Sequence, residues 1–319
     1  MTSLASNATG VTVRQIKTVI IEYPSVSKSA VFGFLETMEL ASAVCRELGV
    51  ETEFVTAVYR LEAIGGAEIP DVVVLPPCSG GTFYMQDCDV LNQYLTNAHQ
   101  QGAVLASACV GSFMLARGGF LDNKFCTTHW RLGSEFSEMF PKAKLNINAM
   151  IVNEGNVITA GGRMAWLDLA FEVISSFCPP SVATHLSKEM VTDTGYREQA
   201  FYRQFMPRMD HGDPLVLQVQ TYFNEHFSEV VSVSGLAKRL FVSTRTLQRR
   251  FQNAVGLTVV EYLQKLRLHN ACQLIELSNK SISEVSYLVG YHNVSAFRKI
   301  FNREYGLTPS EFRKRFQVD

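Results

Sequence analysis

The chain has 319 residues, 47% hydrophobic and 18% charged. That length suits two domains of about 150 residues each, and the composition excludes disordered, collagen-like and coiled-coil classes. The net charge of -1 hides a split: Ser232 to Asp319 carries 14 Lys and Arg against 6 Asp and Glu, a net of +8 that leaves -9 for residues 1–231. A basic end of this kind implies a polyanionic partner. No apolar run approaches the roughly 18 residues of a membrane span, and residues 1–17 lack the pattern of an export signal. A soluble cytoplasmic protein with no membrane partner is expected. Seven cysteines without a C-x-x-C pair imply a reducing compartment and no zinc or other metal site.

Residues 18–178 alternate short apolar runs with helical stretches, as an α/β domain does. The runs begin at Thr18, Thr52, Asp71 and Ala103, and the helical stretches between them include Phe32 to Leu48 and Asp89 to Gln101. Continuous apolar strands predict a mostly parallel, flavodoxin-like sheet buried on both faces. Asn153-Glu154-Gly155-Asn156 predicts a hairpin and one antiparallel strand. Two helices follow, Met164 to Phe177 and Ser181 to about Met190. The pattern dissolves from Thr192 to Asp213, with Gly195, Pro207 and Gly212, giving a first domain over 1–191, a linker over 192–213 and an all-α domain over 214–319.

The last domain repeats itself at 50 residues. Gly256-Leu257-Thr258 returns as Gly306-Leu307-Thr308, Glu261-Tyr262 as Glu311-Phe312, and Phe251 as Phe301. In the first copy Leu236, Ala237 and Leu240 sit at helical spacing, Phe241-Val242 interrupts, and Ser243 caps a second helix carrying Leu247 and Phe251 inward. In the second copy Ser281 to Glu284 is a capping box, Gly290 stops the helix, and Asn293 caps another bearing Phe297 and Phe301. Both copies read as helix, turn, helix.

The outer faces of the second helices predict DNA contact. One carries Ser243, Thr244, Arg245, Gln248, Arg249 and Gln252, and the other Ser295, Ala296, Arg298, Lys299, Asn302 and Arg303. Arg and Gln pair bidentately with guanine and adenine edges, while Ser, Thr and Ala let the backbone approach. Val259 to Leu277 predicts a connecting helix of 19 residues, about 28 Å long at 1.5 Å per residue. That would set two recognition helices near the roughly 34 Å repeat of successive groove faces.

From Pro214 to Phe316 the chain resembles the AraC/XylS transcription regulators, through Ser281 to Val285, Gly290-Tyr291, Phe297 to Phe301 and Gly306 to Arg313. The resemblance implies two helix-turn-helix units, sequence-specific binding to double-stranded promoter DNA, and usually activation through RNA polymerase.

In the first domain, Ser107-Ala108-Cys109-Val110-Gly111 follows a strand and opens a helix, where an α/β fold holds a nucleophile on a sharp elbow and a helix N-terminus would lower a thiol's pKa. His129 in Thr127-Thr128-His129-Trp130 offers an imidazole, and Gly80-Gly81 offers backbone donors to an oxyanion or carboxylate. Cys109 can be a packing residue, a ligand contact or a nucleophile; His129 can be a core histidine or a ligand contact. The set resembles the class I glutamine-amidotransferase-like (PfpI-type) superfamily, and Gly161-Gly162 with Asp168 and Lys188 to Gln199 resembles AraC-family members that carry this domain as a sensor. PfpI-type hydrolases place His where Val110 stands, and the amidotransferases' His-x-Glu has no counterpart because residues 155–178 hold no histidine. The reading is therefore a regulator with a catalytically inactive sensor domain and no cofactor, acting as a homodimer. Its effector would bind at Cys109, His129, Gly80 and Gly81, and nitrogen-containing metabolites are common in that subgroup. Two alternatives stay open: a cysteine amidase or hydrolase fused to a DNA-binding domain, and an architectural DNA binder without a ligand.

Overall fold

The computed structural model describes residues 4–6, 12–193 and 197–317. Gly195 of the expected linker lies outside the described residues, as do residues 1–3 and 7–11 of the N-terminal stretch. The chain forms two compact units, Met1–Gln199 and Ala200–Asp319, dividing inside the segment 192–213.

The first unit opens with β1 (Leu4–Ser6), β2 (Thr12–Glu22), α1 (Lys28–Glu47), β3 (Thr52–Arg60), β4 (Val72–Leu75) and α2 (Asp89–Gln100). Then come β5 (Val104–Ala108), α3 (Gly111–Arg117), β6 (Phe125–Cys126), α4 (Gly133–Met139), β7 (Lys144–Leu145), β8 (Ile151–Asn153) and β9 (Val157–Ala160). Helices α5 (Trp166–Phe177) and α6 (Pro180–Glu189) close it. Strands β3, β2, β4, β5 and β9 lie parallel in that order, with β1 antiparallel on β2 and β8 antiparallel on β9. Every residue of β4 is buried, which is why it reads as an unbroken apolar run, and β9 is buried throughout as well. The hairpin falls at Asn153 to Asn156, as the sequence predicts. Because β4, β5 and β9 are adjacent and parallel, the loops after them share one sheet edge. Ligand sites of open α/β sheets form at such edges.

The second unit is all helical: α7 (Pro214–His226), α8 (Val233–Arg239), α9 (Thr244–Val255), α10 (Val259–Leu277), α11 (Ile282–Leu288), α12 (Val294–Tyr305) and α13 (Pro309–Phe316). It has two apolar cores. The first half of α10 buries Val259, Tyr262 and Leu266 in one, and the second half buries Leu268, Ala271 and Ile275 in the other. The connecting helix thus serves both halves, which explains its unbroken length.

The 50-residue repeat has a mechanical meaning. Gly256 and Gly306 end α9 and α12 at φ +76° and +70°, the left-handed region in which a side chain is strained. Thr258 and Thr308 then cap α10 and α13, with Glu261 and Glu311 returning to the cap amides in full capping boxes. The repeated string is a helix stop followed by a helix start. The segment before α7 is also fixed: Phe201 is buried, and the Phe205 ring meets Tyr262 edge-on at 5.1 Å.

Candidate functional site

Cys109 sits between β5 and α3 at φ +58°, a left-handed conformation rare for a residue with a Cβ. Three hydrogen bonds hold it there. Its amide donates to the Ala160 carbonyl at 2.8 Å, and its carbonyl accepts from the hydroxyls of Ser112 and Thr128 at 2.9 and 2.8 Å. Gly111 permits the elbow, since a Cβ there would stand 2.5 Å from the Leu75 carbonyl oxygen. Cys109 is 5% exposed. Burial pushes its pKa up to about 12, and the Val110 amide that favours the thiolate does not offset this. The expectation of a thiol acidified by the helix N-terminus is therefore corrected: desolvation dominates, and Cys109 is a neutral thiol at pH 7.

The other expected ligand residues gather around the same edge. Burial raises the Cys78 thiol, while the Gly80 amide, donating to it, works in the opposite direction. Gly81 lies at φ +73° and packs against Ser25. His129 is half-buried and uses Nδ1 to accept the Arg131 amide at 3.1 Å, so its proton belongs on Nε2. Burial, then Arg131 and Arg163, lower its pKa and keep the ring neutral. Among the described residues no hydrogen bond joins His129 to the Cys109 thiol. What the edge offers is a neutral thiol, an imidazole N–H and a cation, Arg163, which acts electrostatically on Cys109, Cys78 and His129, with Arg131 a second cation beside His129.

The second unit presents the other site. Ser243 caps α9 by accepting the Thr246 amide at 3.1 Å, and Asn293 caps α12 by accepting the Ala296 amide at 3.0 Å. Ser243, Arg245, Gln248, Arg249 and Gln252 are exposed and Thr244 is half-buried. On α12, Ser295, Arg298, Lys299, Asn302 and Arg303 are exposed and Ala296 is half-buried. The inward residues Leu247, Phe251, Phe297 and Phe301 are fully buried, so each helix shows a basic polar face opposite an apolar one. Arg250 does not share that face. Its guanidinium holds Asp213, the cap of α7, with its Nε donating at 2.9 Å.

Comparison with known proteins decides what these parts are. Residues 51–176 match the DJ-1/PfpI family, and residues 236–315 match a helix-turn-helix domain family. The chain is thus similar to AraC-type helix-turn-helix regulators that carry a DJ-1/PfpI domain in front. It is 27% identical over 222 residues to the HTH-type transcriptional regulator GbdR of Pseudomonas aeruginosa, a match covering 69% of this chain and 60% of the relative's length. It is 26% identical over 240 residues to the HTH-type transcriptional regulator GlxA of Rhizobium meliloti, covering 75% and 74%. Among solved structures, Drosophila melanogaster DJ-1beta aligns with 56% of this chain and 99% of its own, at 18% identity and a TM-score of 0.44.

Two residues escaped the sequence reading. Arg163 follows Gly161-Gly162 after β9, and its signal was position alone: a cation just past a buried parallel strand. Gln199 is 1% exposed within the first unit. Its amide donates to the Thr127 hydroxyl at 3.0 Å and to the carbonyls of Thr128 and Ala149 at 2.8 and 3.0 Å, while its carbonyl accepts the Trp130 amide at 3.0 Å. A Cβ on Gly161 would stand 1.8 Å from the Gln199 amide nitrogen, which gives that glycine its reason. Asp168, on α5, pairs with Arg197 of the same closing segment.

Proposed function

We propose that this protein is a sequence-specific transcription regulator that reads double-stranded DNA with α9 and α12 and responds to a small metabolite held by its first unit. The observation that carries the reading is the pair of exposed basic faces on capped helices at the ends of one rigid connector. Arg245, Gln248, Arg249 and Gln252 would enter one major-groove segment, and Arg298, Lys299, Asn302 and Arg303 the next. The relatives' names, HTH-type transcriptional regulators, support this. The regulator acts in the cytoplasm as a homodimer and activates through RNA polymerase.

The effector site lies at Cys109, His129, Gly80 and Gly81, with Arg163 supplying charge. A guanidinium, an imidazole N–H and backbone amides suit a carboxylate, and the thiol with Tyr23 and Tyr84 nearby suits the rest of a nitrogen-containing metabolite. The reading of this domain as a sensor rather than an enzyme draws support from Cys109, because nucleophilic attack needs a thiolate and burial disfavours that form. The test is a DNA-mobility assay on the full chain with a panel of amino-acid-like carboxylates. A matching carboxylate shifts the midpoint for wild type and not for Arg163→Ala, while release of ammonia or cleaved amide by wild type would overturn the assignment.

A further inference from the structure

Among the described residues, two of the seven free cysteines meet. The Sγ atoms of Cys45 and Cys178 lie 3.7 Å apart, although the residues are 133 positions apart in the chain. Cys45 is in the last turn of α1 and 0% exposed, and Cys178 ends α5 and is 7% exposed. A disulfide bond is about 2.05 Å long, so the gap to be closed is roughly 1.6 Å. The surroundings favour one of the two thiols. Thr52, the first residue of β3, bonds Cys178 through its hydroxyl, and Arg14, the register partner of Thr52 on β2, adds its charge. Burial raises both thiols, Cys45 up to about 12, but the S–H of Cys45, Thr52 and Arg14 all work for the thiolate at Cys178. The proton of the pair therefore stays on Cys45, and Cys178 is the nucleophile. Thr52 and Arg14 lie near the edge at which the parallel strands begin, whereas Cys109 follows the end of β5. The pair is thus a second thiol site at the opposite edge of the sheet.

We propose that Cys45 and Cys178 form a site of reversible oxidation, which a small hydroperoxide closes to a disulfide. The Cys178 sulfur attacks hydrogen peroxide: an S–O bond forms, the O–O bond breaks, and the departing hydroxide leaves as water with the Cys178 proton. Cys45 then attacks the sulfenic sulfur: the S–S bond forms, the S–O bond breaks, and the hydroxyl leaves as water with the Cys45 proton. Two thiols and one peroxide give one disulfide and two waters. Two equivalents of a small thiol reverse the step by exchange and leave as their own disulfide. The bridge would span 133 residues, and long closed loops restrict the unfolded chain most. It would clamp α1 to the turn between α5 and α6 and stiffen the first unit under oxidising conditions. It depends on neither the effector site nor the DNA-reading assignment.

The test is peroxide treatment of the folded full chain, followed by denaturation, alkylation of the remaining thiols with N-ethylmaleimide and peptide mass mapping. Wild type should yield a peptide pair joined through Cys45 and Cys178. The thermal midpoint of the first unit should rise by about 4 °C or more and return with dithiothreitol. In Cys45→Ser the link is lost and dimedone should trap Cys178 as its sulfenic acid, while Cys178→Ser should give neither link nor adduct at Cys45. The wild-type map stands whether or not the variants fold. Folded wild type that keeps both thiols at a peroxide concentration that oxidises the half-buried Cys88 overturns the proposal, as does linkage of either cysteine to a different one or a linked chain whose midpoint does not move.

Discussion

At Cys109 two local effects compete, and their sizes decide its chemistry. A short helix start and the Val110 amide favour the thiolate, yet removing a thiol from water disfavours its charge by more, so the group ends near 12. Alkylation of Cys109 by iodoacetamide at pH 7.5 should therefore run far slower than alkylation of a free cysteine, as peptide mass mapping would read directly. Cys109→Ser should leave DNA affinity unchanged and weaken the effector response in a mobility assay. Cys45 and Cys126 share the same fate, each pushed by burial up to about 12. Unfolded thiols ionise near pH 8.5. Their raised folded values mean that stability is fully present below that pH and falls as pH rises towards 12, so thermal melting of the first unit should drop on the alkaline side. Replacing Cys45 by Ala should flatten that drop. Residue by residue, the sequence disclosed the elbow but not the thiol's state, because burial arises from strands and loops far apart in the chain.

Among elements, the helix ends carry the most readable information. The cap residues Ser243, Ser281 and Asn293 take the places the sequence assigned them, since a cap is a local arrangement of side chain and backbone. Gly256→Ala or Gly306→Ala would force a Cβ into the left-handed region, at about 1–2 kcal/mol each. Denaturant melts of the full chain followed at α-helical wavelengths would show it. Asp213 is a cap of another kind, because its carboxyl also holds Arg250, and that hydrogen bond is the first cause of its lowered pKa. A depressed folded value gives stability that is present above the unfolded carboxyl range, near pH 3.9, and lost as pH falls through the folded value. Asp213→Asn should remove this acid step from the pH dependence of the second unit's melting. Segment 197–199 was read as linker for a physical reason: Gln199 is held by hydrogen bonds to residues some 50 to 72 positions away, which no periodicity announces.

For the whole molecule, the division of labour follows from charge and repetition. The basic end and the 50-residue repeat coincide in one all-helical unit, and the parallel sheet with its Cys109 elbow occupies the other. Fold class and the two helix-turn-helix units were legible because both rest on periodic patterns. Arg163 was not, since it becomes informative only beside residues from other elements. Arg245→Ala and Arg298→Ala should each cost about 1–3 kcal/mol of specific affinity and relax preference at one base position. The most direct measurement is hydroxyl-radical footprinting of the full chain on DNA selected from a random pool by the protein itself. Wild type should protect two segments on one face of the duplex, about one helical turn apart. Arg245→Ala should erase one segment and Arg298→Ala the other, whereas a footprint that both variants leave intact, or that either abolishes uniformly, would contradict the assignment of α9 and α12 as separate readers.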